Sequence, residues 1–325
     1  MAALTGTNTT LGRVGIAEDV HDVIYDISPT LTPVMQMAKT LKATNTLHEW
    51  QVHPLAAAAL NAKLEGDDGT FASLTPTTRL GNRAMISSKT VMVSRTADTV
   101  KKYGRSDETN YNVARAAQEL KRDIELAMLG QQGSSAGNGS STPRQAAGYR
   151  AMVTNFRRAS GTAQTGGSVG GFSTDWATAV DSTASTLVQA DIIDAIDQAW
   201  QDGGNPDFIV VNSKQKQRIG AMTGGAGFDG YGITQGKRSQ GAVVAAVDIF
   251  VSDAGAHKVI MDRFLGQTSV LCLDSEYIGI AWLDRIKIED LAKTGDARKK
   301  LVVCEWTAVM QNPDAHGQVI GCLAT

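Results

Sequence analysis

The stretch from residue 46 to residue 94 constrains this chain most, because it reads as two strands that leave a protein body and rejoin it with nothing of their own to pack against. The outgoing limb, Thr46-Leu-His-Glu-Trp-Gln-Val-His53, and the returning limb, Ala84-Met-Ile-Ser-Ser-Lys-Thr-Val-Met-Val-Ser94, are β-branched, aromatic and roughly alternating, the pattern of half-buried strands. Between them, Pro54-Leu-Ala-Ala-Ala-Ala-Leu-Asn-Ala62 carries no charge and Glu65-Gly-Asp-Asp-Gly69 forms an acidic turn. An isolated hairpin is marginal in water, and structureless connections beyond ~15 residues are uncommon in compact domains unless they have a task. The expected task is contact with another subunit.

With 325 residues, of which 42% are hydrophobic, the chain can build real cores and has room for about two domains. A net charge of -2 lacks the basic footprint of a dedicated nucleic-acid binder. The small clusters Lys214-Gln-Lys216-Gln-Arg218 and Lys237-Arg238 read as solvated surface. Residues 1–15 have neither the apolar core nor the cleavage site of a signal peptide, and no run of eighteen apolar residues suits a membrane. Cys272, Cys304 and Cys322 are widely spaced in apolar, strand-like surroundings, so buried thiols and a reducing cytoplasm are expected.

Along the chain, Val20, Val23, Ile24 and Ile27 give one helical face that Pro29 and Pro33 end, and a second short helix is expected over residues 34–41. The strongest helical signal covers residues 107–132, with Ser106 or Asp107 as N-cap and Val113, Ala117, Leu120, Ile124, Ala127 and Met128 on one buried face. Arg115 with Glu119, and Lys121 with Glu125, read as i,i+4 pairs on the wet side. Nine glycines in residues 133–171 and eight in residues 220–241 mark two loop tracts bordering a compact α/β unit. That unit holds a helix over 190–202, a strand over 208–211, a helix capped by Ser213, and strands over 243–251 and 258–264. Strands over 269–273, 277–283, 299–311 and 318–323 close the chain, the last two joined by a hairpin turn at residues 312–317.

No catalytic constellation, cofactor or metal site emerges. His48 and His53 stand five apart, whereas a zincin helix needs i and i+4, and a strand would send them to opposite faces. Gly225-Ala-Gly227-Phe-Asp-Gly230 matches G-x-G-x-x-G but has helical sequence before it and more glycine after it. Gly236-Lys237-Arg238 fails as a phosphate loop, having no glycine five residues earlier and no Ser or Thr after the lysine. Glu65, Asp67 and Asp68 lack calcium-loop spacing and read as a charged tip that meets basic groups on another subunit or is simply solvated.

The segment order, together with residues 18–33, Thr44-Asn-Thr-Leu-His-Glu-Trp-Gln51, Glu65-Gly-Asp-Asp68, Pro76-Thr-Thr-Arg-Leu-Gly-Asn82, Glu119-Leu-Lys-Arg-Asp123 and Gly203-Gly-Asn-Pro206, resembles the SU-ten-type major head proteins of tailed phages. The resemblance spans nearly the whole chain and is weakest in the glycine tracts. It implies an α+β protein with the Hong Kong 97-type phage capsid fold: an N-terminal arm (1–45), an extended loop (46–94), a peripheral domain (95–173) with its spine helix, an axial α/β domain (174–283), and closing strands of the peripheral domain (284–325).

Its implied function is a major capsid protein, made in a bacterial host cytoplasm, whose hexamers and pentamers build the icosahedral head around double-stranded DNA. Implied partners are further copies of the chain, a portal protein, scaffold and cement proteins, and packaged DNA touched without sequence preference. Inter-subunit contact is expected at Trp50, Lys63, Glu65, Asp67, Asp68, Phe71, Arg79, Arg83 and Tyr25. About forty-five residues before the loop are too few for a large scaffolding segment, so a separate scaffold or assembly without one is expected. The start at Met1 argues against a removed propeptide. The glycine tracts would tolerate hinge changes if the shell expands. Two alternatives remain open at this point: an encapsulin-like compartment, and an α/β enzyme that uses the glycine tracts for phosphate.

Overall fold

The structure, a computed structural model, describes residues 30–53, 55–56, 58–66, 68–69, 73–158, 162–163, 176, 178, 185–222 and 248–323. The expected helix at 20–27, the start of the expected strand at 243–247 and the Gly225–Gly230 pattern lie outside them. In chain order the elements are α1 (Pro33–Met37), β1 (Lys39–Lys42), β2 (Leu47–Val52), β3 (Thr78–Arg83), β4 (Met85–Ser94), α2 (Arg95–Thr99), α3 (Glu108–Met128), α4 (Tyr149–Met152), β5 (Asn155–Arg158) and β6 (Thr162–Ala163). There follow α5 (Gln189–Gln201), β7 (Phe208–Val211), α6 (Ser213–Met222), β8 (Ile249–Ser252), β9 (Gly255–Met261), β10 (Val270–Leu273), β11 (Ile278–Asp290), β12 (Ala297–Met310), a 3-10 turn (Pro313–Ala315) and β13 (Gly317–Ile320).

Helix α3 begins where Asp107 accepts the Asn110 N–H at 3.1 Å, satisfying a donor the first turn cannot satisfy itself. Val113, Ala116, Leu120, Ile124 and Met128 fall on one stripe and are buried. Across its ~32 Å length at 1.5 Å per residue, the helix lies on a four-stranded sheet ordered β1-β11-β12-β4. Its stripe shares one apolar cluster with Ile278, Ile280 and Trp282 of β11 and with Val302, Cys304, Trp306, Ala308 and Met310 of β12. The N-terminus of α3 is tied to this sheet by Asp98, which accepts the Glu108 N–H at 3.1 Å and takes Arg298 at 2.8 Å. Desolvation works against its charge, but these donors prevail and hold the carboxyl below its usual range.

A second sheet runs β6-β5-β13-β10-β7-β9-β8. On one face Ile192, Ala195 and Ile196 of α5 meet Ile209, Val211, Val270, Cys272 and Val319. On the other, Val210, Leu271 and Leu273 join the cluster under α3. Helix α5 ends in a Schellman motif: the Gly204 N–H donates to Ala199 O at 2.8 Å and the Gly203 N–H to Trp200 O at 3.0 Å, with Gly203 at φ +90°. Gly204 then runs so close to the 3-10 turn that a Cβ there would stand 2.4 Å from Ala315 O.

Several expectations need correction at the level of single elements. The returning limb of the loop is β3, paired with β2 from Leu47↔Arg83 to Val52↔Thr78. Residues 85–94 instead pair with β12 from Ala297↔Ser94 to Trp306↔Met85, because one face of β4 lies against α3. The loop therefore does have something to pack against, since Leu80 at its base is wholly buried in the main core. The helix expected over 34–41 stops at Met37; Ala38 turns extended at ψ 134°, and residues 39–42 add a parallel edge strand to β11. The spine helix ends at Met128, where Gly130 and the Gln132 side chain close it. Strands β12 and β13 form no hairpin; the turn at 313–315 passes the chain from one sheet to the other. The strand expected over 258–264 is β9, which stops at Met261. Glu125, expected on the wet face beside Lys121, is fully buried. The three cysteines are buried thiols, as their surroundings suggested.

Candidate functional site

The projecting loop has two unlike halves. Its base is locked into the core chiefly by Asn82, whose buried amide donates to Ala308 O at 2.8 Å and Ala147 O at 3.1 Å. The same amide accepts from Ala147 N at 3.0 Å and Arg83 N at 2.9 Å. Next to it, Trp176 Nε1 donates to Gly81 O at 2.8 Å, and the Ala84 N–H closes the ladder onto Thr46 O at 2.7 Å. Gly81 sits in close approach: a Cβ there would stand 3.1 Å from His48 O and 3.0 Å from Glu49 Cγ, so these neighbours would have to give by a few tenths of an ångström. Trp50 lies across the base and donates to Gln311 O at 3.2 Å, while partial burial lowers the His48 pKa.

Beyond Val52 and before Thr78, the described residues form neither helix nor strand. They present Leu55, Leu60, Leu64 and Leu74 to solvent at 84% exposure or more. The tip turns at Gly66, φ +85°, a left-handed position suited to glycine. Glu65 and Asp68 beside it are exposed and make no ion pair among the described residues.

The contact candidates thus separate. Trp50, Arg79 and Arg83 come together at the base, where Trp50 is engaged within the chain and Arg79 faces Glu49 at 3.3 Å. Lys63, Glu65 and Asp68 lie on the distal half, and Lys63 already has a partner within the chain. Tyr25, Asp67 and Phe71 lie outside the described residues. Sequence reasoning missed Asn82 and Trp176 as the anchors. Nothing in the spacing of residues around Asn82 marks a buried amide.

The tip of the β11–β12 hairpin forms a second exposed feature, a cleft of about 310 Å³ lined by Asp290, Leu291, Lys293, Arg298, Lys299 and Lys300. Lys300 pairs with Asp290 at 3.2 Å and Arg298 with Asp98 at 2.8 Å, which leaves the lining cationic in balance. Among the described residues, no three His, Cys, Asp or Glu side chains could hold a metal ion, and no helix is long and apolar enough to cross a membrane.

This architecture, a spine helix on a four-stranded sheet, a second sheet inserted in the chain and a long anchored loop, matches a known family. The sequence profile described as SU10 major capsid protein matches residues 3–322. The chain belongs to that family. Its role is that of a tailed-phage major capsid protein, a homo-oligomeric building block of the icosahedral virion shell and not an enzyme. Among its relatives, the major capsid protein of Escherichia phage Phieco32 is 26% identical over 324 residues, covering 90% of each chain. Solved capsids share the Hong Kong 97-type fold at lower identity. The capsid asymmetric unit of cyanophage A-1(L) is 13% identical with a TM-score of 0.65, covering 94% of this chain and 97% of that one. A structure from Gordonia phage Cozz is 11% identical with a TM-score of 0.59, covering 99% of this chain and 98% of that one. The capsid protein's loop and its two-sheet body are therefore features of a shell-building chain.

Proposed function

We propose that the loop between β2 and β3 is the main contact by which one copy grips the next, and that capsomers joined in this way, as hexamers and pentamers, enclose double-stranded DNA. The four-stranded sheet with α3 serves as the peripheral domain and the seven-stranded sheet as the axial domain. On this reading the axial unit also recruits β5 and β13, beyond the 174–283 span expected from sequence, and yields β11 to the peripheral sheet. The observation that carries the proposal is the pairing of a base locked by Asn82 with a distal half whose leucines are almost fully exposed. Burial against a neighbour would stabilise by roughly 1.5–3 kcal/mol per leucine.

The acidic residues Glu65, Asp67 and Asp68 complement the cationic β11–β12 tip, which we take as their landing site on an adjacent copy. A portal protein at one vertex, a separate scaffold or cement protein, and weak sequence-independent DNA contact through scattered Lys and Arg complete the proposed set of partners. Electron microscopy of the purified chain tests the proposal. Wild type is expected to give closed shells or capsomers, and a variant lacking residues 63–75 is expected to give dispersed protein. Normal shells from the deletion would remove the loop from its assigned role.

A further inference from the structure

Away from the loop, two acids meet in the core where three segments join. Glu125, on the buried stripe of α3, accepts the Val34 N–H at 2.7 Å on Oε1 and the Met35 N–H at 2.8 Å on Oε2, and so holds the first turn of α1. Asp262 follows β9 and is also buried; its Oδ1 accepts the Phe264 N–H at 2.7 Å, and its own N–H donates to Val211 O at 2.9 Å. The two carboxyls lie within hydrogen-bonding reach of each other. With both ionised, Asp262 Oδ2 has no donor. One proton held on Glu125 supplies that donor and removes the repulsion between two buried charges.

The surroundings offer little other compensation. From α3 itself, Arg122 spreads over the Phe264 ring at 5.8 Å, and its buried Nε finds no acceptor. From α4, the Tyr149 hydroxyl is committed to Gly279 O at 2.8 Å, and Arg150 is engaged elsewhere near Gly266. Helix α1, Pro-Val-Met-Gln-Met, brings only backbone donors.

We propose that Glu125 and Asp262 are a proton-sharing latch: with one proton they clamp α1, α3 and the end of β9 together, and on losing it they loosen that junction. Burial first, then the neighbouring Asp262, pushes Glu125 up to about 8 from 4.5. The folded value is raised, so the stabilisation is fully present below the unfolded pKa and is lost as pH rises through about 8. Between pH 6.5 and 9 the open state should gain on the order of 30-fold over the closed one. The inference stands independently of the loop's role, because it concerns the junction within one chain.

Hydrogen exchange of the full-length protein, expressed as protection factors to remove the intrinsic pH dependence, tests the latch. In wild type, protection over residues 33–38 and 262–265 is expected to fall on the order of 30-fold from pH 6.5 to 9, with α5 unchanged. Glu125→Gln keeps an acceptor for α1 and a permanent donor for Asp262, so its protection there should be flat with pH. Asp262→Asn leaves the burial of Glu125 in place but removes the second acid, so its fall should be shallower than in wild type, and it carries the comparison if Glu125→Gln does not fold. A flat wild-type profile, or the same fall in a folded variant, overturns the proposal.

Discussion

Replacing Asn82 by alanine should unfasten the loop's base and destabilise the whole peripheral unit. The amide is wholly buried and makes four hydrogen bonds to backbone groups, three of them far along the chain: Ala147 N, Ala147 O and Ala308 O. Truncation leaves these backbone groups without that partner, at about 1–3 kcal/mol for each one left unsatisfied. A water entering the vacated space recovers part of this. The fourth donor, Arg83 N, is only partly buried and can turn to solvent. The expected loss is about 3–5 kcal/mol, a large share of a normal stability of roughly 5–15 kcal/mol. Guanidinium unfolding of the unassembled chain should show it as a lower midpoint with an unchanged slope. Asn82→Asp keeps both acceptor contacts but turns two donations into repulsions with carbonyl oxygens, so it should be at least as damaging. The exposed Arg79→Ala, which breaks only the pair with Glu49, should cost under about 1 kcal/mol. If Asn82→Ala lies within about 0.5 kcal/mol of wild type, the span of an ordinary surface change, the anchor reasoning is wrong.

Three further outcomes are expected. Gly204→Ala should lower the thermal midpoint well beyond Gly203→Ala, because the first drives a Cβ into the Ala315 backbone whereas the second meets open space and bears only the left-handed strain of about 1–2 kcal/mol. Burial lowers the His316 pKa from 6.5 to about 3, with neutral Nδ1 accepting the Asp274 N–H at 3.1 Å. Its stabilisation is therefore present above pH 6.5 and is lost progressively as pH falls toward 3, and His316→Gln should flatten the acid limb of a stability-against-pH curve. Cys272 and Cys304, each pushed up to about 12 chiefly by burial, should stay inert to a thiol reagent at pH 8 until denaturant is added; rapid labelling of native protein would contradict their placement in the core.

Much of the fold is legible where a local signal is strong and the tertiary structure agrees with it. The capped, periodic α3 begins one residue from its expected start, β7 matches its apolar run to the residue, and α6 starts at Ser213 itself, the residue expected to cap it. Pairing partners are another matter. Strand β3 reads Thr-Arg-Leu-Gly-Asn-Arg, whose polar residues and glycine hide a strand with three consecutive buried positions. Only the contacts of Asn82 and Gly81 with Ala147, Ala308 and Trp176, each separated by 65 residues or more, explain it. Glu125 misleads for a similar reason. Its i,i+4 lysine is the visible local cue, while the two backbone donors that claim it lie about ninety residues away and leave no mark in the sequence. The destination of β13 is equally silent, since its Gly-Gln-Val-Ile is buried at all four positions and has no one-sided pattern to choose between the sheets.

The contrast between the loop's two halves decides where its binding energy resides. The hydrogen bonds of Asn82, Trp50 and Trp176 that fix the loop to the core fall at its base, so the core sets the direction in which the loop leaves. At the tip, Glu65 and Asp68 can offer exposed ion pairs worth about 0–1 kcal/mol each, screened by salt. The four exposed leucines can offer several times that once covered. On the proposed reading, apolar burial would supply most of the grip, and the acidic tip would supply register and direction by rejecting like-charged surfaces. An arm of this kind, held rigidly at one end and left apolar at the other, has little chance of folding back onto its own chain. The anchored base works against such a hinge, and on the proposed reading burial on another copy removes those leucines from water.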